Sequence, residues 1–110
     1  MGTFARGQII FAPVAYSDGS GGKLRPALVI ATPTGADPLI CVITSQERGD
    51  AYDVLLAPSD FEHGNLGRSS YVRVCRVQHI AAERIVNVAG TLKADKMNDI
   101  TDRVVALLRN

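Results

Sequence analysis

The chain contains no tryptophan, and its aromatic residues amount to three tyrosines and three phenylalanines in 110 positions. Cysteine is nearly as scarce. Cys41 and Cys75 both sit inside apolar, strand-like runs, which excludes a disulfide framework and fits none of the usual metal-ligand spacings. They read as reduced core cysteines, and neither a metal site nor a cofactor is expected. Charge of one sign is missing too: 12 basic residues against 11 acidic leave a formal +1. Net charge therefore does not mark a nucleic-acid binder, and any basic surface has to come from uneven placement. No apolar run approaches the length of a membrane-crossing helix. The opening residues, MGTFARGQ, lack the apolar segment of a signal peptide. A cytoplasmic protein with no membrane association is the expectation. Internal repeats, low-complexity tracts and linkers are absent as well.

What is present suits one domain over residues 1–110. Apolar residues at 46% and charged residues at 21% are ordinary for a globular chain and too apolar for a disordered one. The pattern predicts strands over 8–14, 27–32, 39–43, 52–56, 71–77 and 85–92. The runs at 27–32 and 39–43 are continuously apolar, which suggests burial on both faces. Residues 71–77 (YVRVCRV) alternate, with Arg73 and Arg76 on opposite faces. Residues 59–65 read as a helical turn with Ser59 as cap and Glu62 completing a capping box. One more helical turn is expected over 81–84. Residues 94–109 read as an amphipathic helix, its apolar face formed by Met97, Ile100, Val104, Leu107 and Leu108. Lys93 is a poor cap for it, and Thr91 is the candidate instead. Short strands followed by one terminal helix suggest a small, strongly bent sheet or barrel with a helix packed on it.

The most distinctive stretch is 17–26, SDGSGGKLRP. Its glycines, Gly19, Gly21 and Gly22, tolerate dihedrals that let backbone amides turn toward an anion. Lys23 and Arg25 add positive charge at its exit. A second polar group, Thr44, Ser45 and Gln46, closes the strand at 39–43. Taken singly, Arg25 is an ordinary surface arginine and Thr44 an ordinary strand residue. Their pairing makes them candidates.

These segments, with GSGGKLRPALVI, CVITSQ, SYVRVCRVQHI and GTLKADKMNDI in this order, resemble the MazF/PemK toxins of bacterial toxin–antitoxin systems. The resemblance covers nearly the whole chain. It implies a mainly β (α+β) fold, an SH3-like barrel of bent antiparallel strands with a C-terminal helix, working as a homodimer. It implies a metal-independent endoribonuclease that cuts single-stranded RNA at short sequences, leaving 2′,3′-cyclic phosphate and 5′-hydroxyl ends. It also implies a cognate antitoxin that covers the groove. By that match Arg25 and Thr44 are the catalytic pair. Ser20, Gly21, Gly22, Lys23, Ser45 and Gln46 are expected to contact substrate, with the glycine-rich loop as a gate over the Arg25–Thr44 pair. One departure stands at 75–78, where Cys-Arg-Val-Gln exchanges the Gln and Arg of many members.

The chemistry fits those residue types. Attack of the 2′-OH on phosphorus needs a proton removed, charge stabilised on the phosphorane oxygens, and the 5′-oxygen protonated. A guanidinium presents several donors in a fixed fork to phosphate oxygens but is a poor base. His63 and His79 are the natural bases near neutral pH, yet neither lies in a segment that marks it as catalytic. Two other readings stand beside this one: a non-catalytic RNA- or protein-binding barrel, and a gyrase-poisoning toxin of the same fold. The latter relies on an apolar, aromatic C-terminus that Leu-Leu-Arg-Asn does not supply.

Overall fold

The computed structural model describes residues 3–14 and 23–110. Its strands are β1 (Gln8–Pro13), β2 (Leu24–Ala31), β3 (Leu39–Thr44), β4 (Asp53–Leu56), β5 (Phe61–Gly64), β6 (Ser70–His79) and β7 (Asn87–Leu92), followed by helix α1 (Ala94–Arg109). They form a sheet of order β4-β6-β3-β2-β1-β7-β5, and every adjacent pair is antiparallel. Four of the pairings slip register, at Ile9/Ile10, Val29/Ala31, Cys41/Ile43 and Phe61/His63. Each slip bends its strand and raises the local twist, so the sheet curls into a half-barrel with the helix against it.

The continuous apolar runs at β2 and β3 follow from that curl. Successive residues serve opposite faces, and both faces are packed. Ile9, Leu28, Cys41, Ile43 and Val72 belong to a core that Met97 and Ile100 of α1 complete. Ile10, Ala27, Val29, Ile40 and Val42 belong to a second core, against which Phe4 and Ile85 pack. Ile100 has no exposed surface, and burying a side chain of its size contributes about 1.5–3 kcal/mol.

The helix spans the predicted range, 94–109, but its apolar face is shorter than the sequence suggests. Val104 is the last helical residue packed on the core. Leu108 lies beyond it, 78% exposed. Thr91 is not the cap, because it is committed to β7 and pairs with Gln8. Lys93 holds the N-cap position without a side-chain bond. The helix start is held instead by two contacts to Asp60: Lys93 N–H donates to its carbonyl at 2.9 Å, and Lys96 Nζ lies 3.4 Å from its carboxylate.

The expectation for 59–65 is overturned in the same region. A 3₁₀ turn covers only Pro58–Asp60, its N-cap is Ala57, and Phe61–Gly64 is strand β5. Asp60 reaches back to accept the Ala57 N–H at 2.7 Å, which closes the turn without Ser59. Phe61 then pairs with Leu92 of β7, a contact no local pattern announces. Strand β2 also begins earlier than expected, because Leu24, Arg25 and Pro26 already pair with Pro13, Ala12 and Phe11 of β1. The turn expected over 81–84 is a 3₁₀ turn at Ala82–Arg84, and the last strand begins at Asn87.

Candidate active site

Pro26 locks the backbone of the residue before it into an extended conformation, so Arg25 enters β2 as strand. Antiparallel pairing aligns Ala27 with Val42 of β3. Arg25 and Thr44 lie two residues further along the same two strands, at the same end of the pair.

Both residues line a cleft of about 590 Å³ at this end of the sheet. Arg25 is half-buried and its Nε is out of solvent. Thr44 is 8% exposed. Its Oγ1 accepts the Gln46 N–H at 3.1 Å and donates to the Gln46 carbonyl at a longer 3.4 Å. That local turn ends β3 and aims the following Ser45 and Gln46 outward, where both are exposed. A hydroxyl has one proton and two lone pairs. The weak donation to Gln46 can be exchanged for a bond to an anionic oxygen without loss of the turn.

The cleft collects Lys23, Arg25, Ser45, Gln46 and Thr44 from the sequence-predicted set. Ser20, Gly21 and Gly22, and with them the gating loop, lie outside the described residues. Sequence reasoning missed Arg48, Arg68 and Ser70, and the apolar floor of Phe11, Ile43 and Leu66. Arg68 was recoverable only from topology. Because Thr44 pairs with Tyr71 of β6, the loop entering β6 has to pass the end of β3. Arg48 carried a weaker signal, two residues beyond the Thr-Ser-Gln group.

Electrostatically the cleft is one-sided. Lys23, Arg25, Arg48 and Arg68 line it, and no Asp or Glu does among the described residues. The acids nearby are engaged elsewhere. Asp53 and Asp50 both bind Arg73 Nη1, at 2.8 and 2.7 Å. Asp53 also accepts the Arg48 N–H at 2.6 Å, and Asp50 the Tyr52 N–H at 3.0 Å. The loop that carries Ser45, Gln46 and Arg48 is therefore pinned from behind. The guanidinium of Arg73 holds the Asp50 carboxyl below its ordinary range, helped by the Tyr52 N–H. These bonds also raise Arg73 above the ordinary guanidinium value. Arg73 thus serves as a salt-bridge partner to both acids. His63 and His79 are exposed and neither lines the cleft. Among the described residues no group of three or more His, Cys, Asp or Glu is placed to hold a metal ion, and no helix is long and apolar enough to cross a membrane.

An arrangement of this kind can bind a phosphate-bearing chain: charge-assisted donors from a half-buried guanidinium, a hydroxyl in the same cleft, and flanking cations. Residues 5–108 match the model of a family described as PemK-like, MazF-like toxin of type II toxin–antitoxin system. No curated protein matches the chain. Among solved structures, MazF of Deinococcus radiodurans is similar, with TM-score 0.76 and 21% identity over 100% of both chains. A MazE–MazF structure from the same organism gives TM-score 0.74 and 21% identity over 96% of each chain. An endoribonuclease from a mycobacterial species gives TM-score 0.74 and 20% identity over 98% of this chain and 93% of the other. At these identities the likeness is one of fold.

Proposed function

The chain belongs to the PemK-like, MazF-like toxins of type II toxin–antitoxin systems, and from that membership we propose that it is a metal-independent endoribonuclease acting on single-stranded RNA. The observation that carries the reading is that Arg25 and Thr44 line one cleft together with Lys23, Arg48 and Arg68, with no carboxylate in its lining among the described residues. The scissile phosphate sits between the two residues. Its 2′-OH attacks phosphorus, the P–O5′ bond breaks, and the products are a 2′,3′-cyclic phosphate and a 5′-hydroxyl. Arg25 donates to the non-bridging oxygens as their charge grows, in a position where partial burial strengthens the interaction. Thr44 donates to one of the same oxygens and fixes its direction. Lys23, Arg48 and Arg68 neutralise the flanking phosphates, while Ser45 and Gln46 offer polar contacts to sugar or base. The lining supplies charge and position rather than a strong base, so the rate rests on electrostatic stabilisation and alignment.

The protein acts as a homodimer in the cytoplasm, arrests growth by cutting mRNA, and is silenced by a cognate antitoxin. A solved MazF from Deinococcus radiodurans occurs with MazE, which is the support for a partner of that kind. The test is cleavage of an unstructured RNA by purified protein in EDTA, with the product ends identified by mass spectrometry. Cutting with cyclic-phosphate ends is expected, and Arg25→Ala is expected to lose about 100–1000-fold in rate, the cost of removing one donor from a developing oxyanion. Intact RNA, a requirement for divalent metal, or a fully active Arg25→Ala protein overturns the proposal.

A further inference from the structure

A second concavity, of about 520 Å³, adjoins the cationic cleft. Leu66 and Arg68 line both, so the two are consecutive stretches of one surface. Their chemistry differs. The second is walled by Leu55 and Leu56 at the end of β4, by Pro58 and Phe61, and by the loop entering β6. Within β4, Val54 and Leu56 are buried in the core, and alternation turns Leu55 outward, 49% exposed. A single exposed leucine needs no explanation. Here it joins a half-buried aromatic ring and a concave wall, with the polar side chains of Asn65 and Ser69 at the rim.

We infer that this groove is the subsite for one unpaired nucleobase, that of a nucleotide neighbouring the scissile phosphate. The inference rests on the ribonuclease reading above and adds where the strand runs and what holds it. Three observations favour a base as occupant. The groove opens from the cleft where the phosphates are expected, and Arg68 stands at the junction. A guanidinium there can bond a phosphate with its edge and stack on a base with its plane. The lining is largely apolar and includes the Asn65 amide and the Ser69 hydroxyl, which suits a base with its faces buried and its edges hydrogen-bonded. Among the described residues no carboxylate lines either concavity, so a polyanion follows this lining without repulsion.

The test uses a non-cleavable 2′-O-methyl oligonucleotide spanning a cut site mapped in the cleavage assay. Abasic replacements are walked through the positions flanking the cut, and Kd is read by fluorescence anisotropy. One abasic position is expected to weaken binding about tenfold, the usual scale for a base stacked on protein. Leu55→Asn, neutral and at an exposed position, is expected to weaken the intact oligonucleotide by a similar factor. The two changes combined are expected to cost no more than either alone, because both remove one contact. Asn65→Ala provides a second variant at the rim, expected to give a smaller loss that also vanishes at the same abasic position. Losses that multiply, or a Leu55→Asn protein that binds as tightly as wild type, overturn the groove assignment while cleavage stands. A protein that cuts no RNA overturns the ribonuclease reading itself.

Discussion

The hydroxyl of Thr44 is shared between fold and cleft, and substitutions separate the two roles. Thr44→Val keeps the shape but leaves the Gln46 N–H, now bonded at 3.1 Å, without its acceptor. A loss of about 1 kcal/mol in stability is expected, measured by urea unfolding, together with a large loss of cleavage. Thr44→Ser restores the oxygen and is expected to recover both. Two glycines give a similar contrast for the backbone. Gly35 and Gly64 share a left-handed conformation, φ 78° and 75°. A Cβ on Gly35 meets open space, whereas on Gly64 it collides with the Ala89 carbonyl and the Gly90 Cα of β7. Gly35→Ala is expected to cost about 1 kcal/mol, the conformational penalty alone. Gly64→Ala is expected to cost about 3 kcal/mol or more, since β5 has to leave β7 to make room. Denaturant melts of the two variants check the difference. Cys41 shows the residue scale in its pKa: burial, with a smaller push from the nearby Cys75, raises its thiol to about 12. It binds its proton more tightly folded than unfolded, so its contribution to stability is complete below about 9 and is lost as pH rises toward 12.

Elements of this fold differ in how far local sequence determines them. Helix α1 was legible to the residue because a 3.6-residue apolar period is a local property. Strands β1, β3 and β6 were legible within a few residues for the same kind of reason. Strand β5 was not. Its four residues, FEHG, follow a Ser59-to-Glu62 pattern that favours a helical turn, and only pairing with β7 makes them extended. The start of β2 was hidden by Pro26, which reads as loop although its missing N–H is tolerated there. The loop between β3 and β4 shows how pairing elsewhere supports the cleft. Arg73 on β6 holds Asp50 and Asp53, and Asp53 holds the backbone of Arg48. The Asp53 side chain is only 4% exposed, so Arg73→Met strands a buried carboxylate, at an expected cost of about 3 kcal/mol. Asp50→Asn is milder and carries a pH signature. Because the Asp50 pKa is lowered on folding, its stabilisation is complete above the ordinary carboxylate value of 3.8 and is lost as pH falls below it. Thermal melts at neutral pH and at acid pH are expected to converge between wild type and Asp50→Asn as pH drops through that window.

At the scale of the whole molecule, a chain with formal charge +1 presents a surface region with Lys23, Arg25, Arg48 and Arg68 and, among the described residues, no acid. Composition could not show this, because the curl of the sheet, not the charge total, decides which residues share a face. The part of the cleft's lining legible in the sequence, Arg25 with Thr44, lies on neighbouring strands that follow one another closely in the chain. Arg68 arrives from a segment more than twenty residues beyond Thr44, brought in by the crossing of β6 beside β3, and so was silent. That clustering has a measurable consequence. Each cation that neutralises a phosphate of single-stranded RNA releases counterions and adds about −0.7 to the slope of log K against log salt. With three or four contacts, a slope of about −2 to −3 is expected for the non-cleavable oligonucleotide, despite the near-neutral chain. Arg68→Ala is expected to flatten that slope by about 0.7, whereas Leu55→Asn is expected to weaken binding and leave the slope unchanged. Anisotropy titrations across a salt series distinguish the two. A slope near zero for the wild-type protein places the polyanion elsewhere on the surface, whatever the cleft's charge.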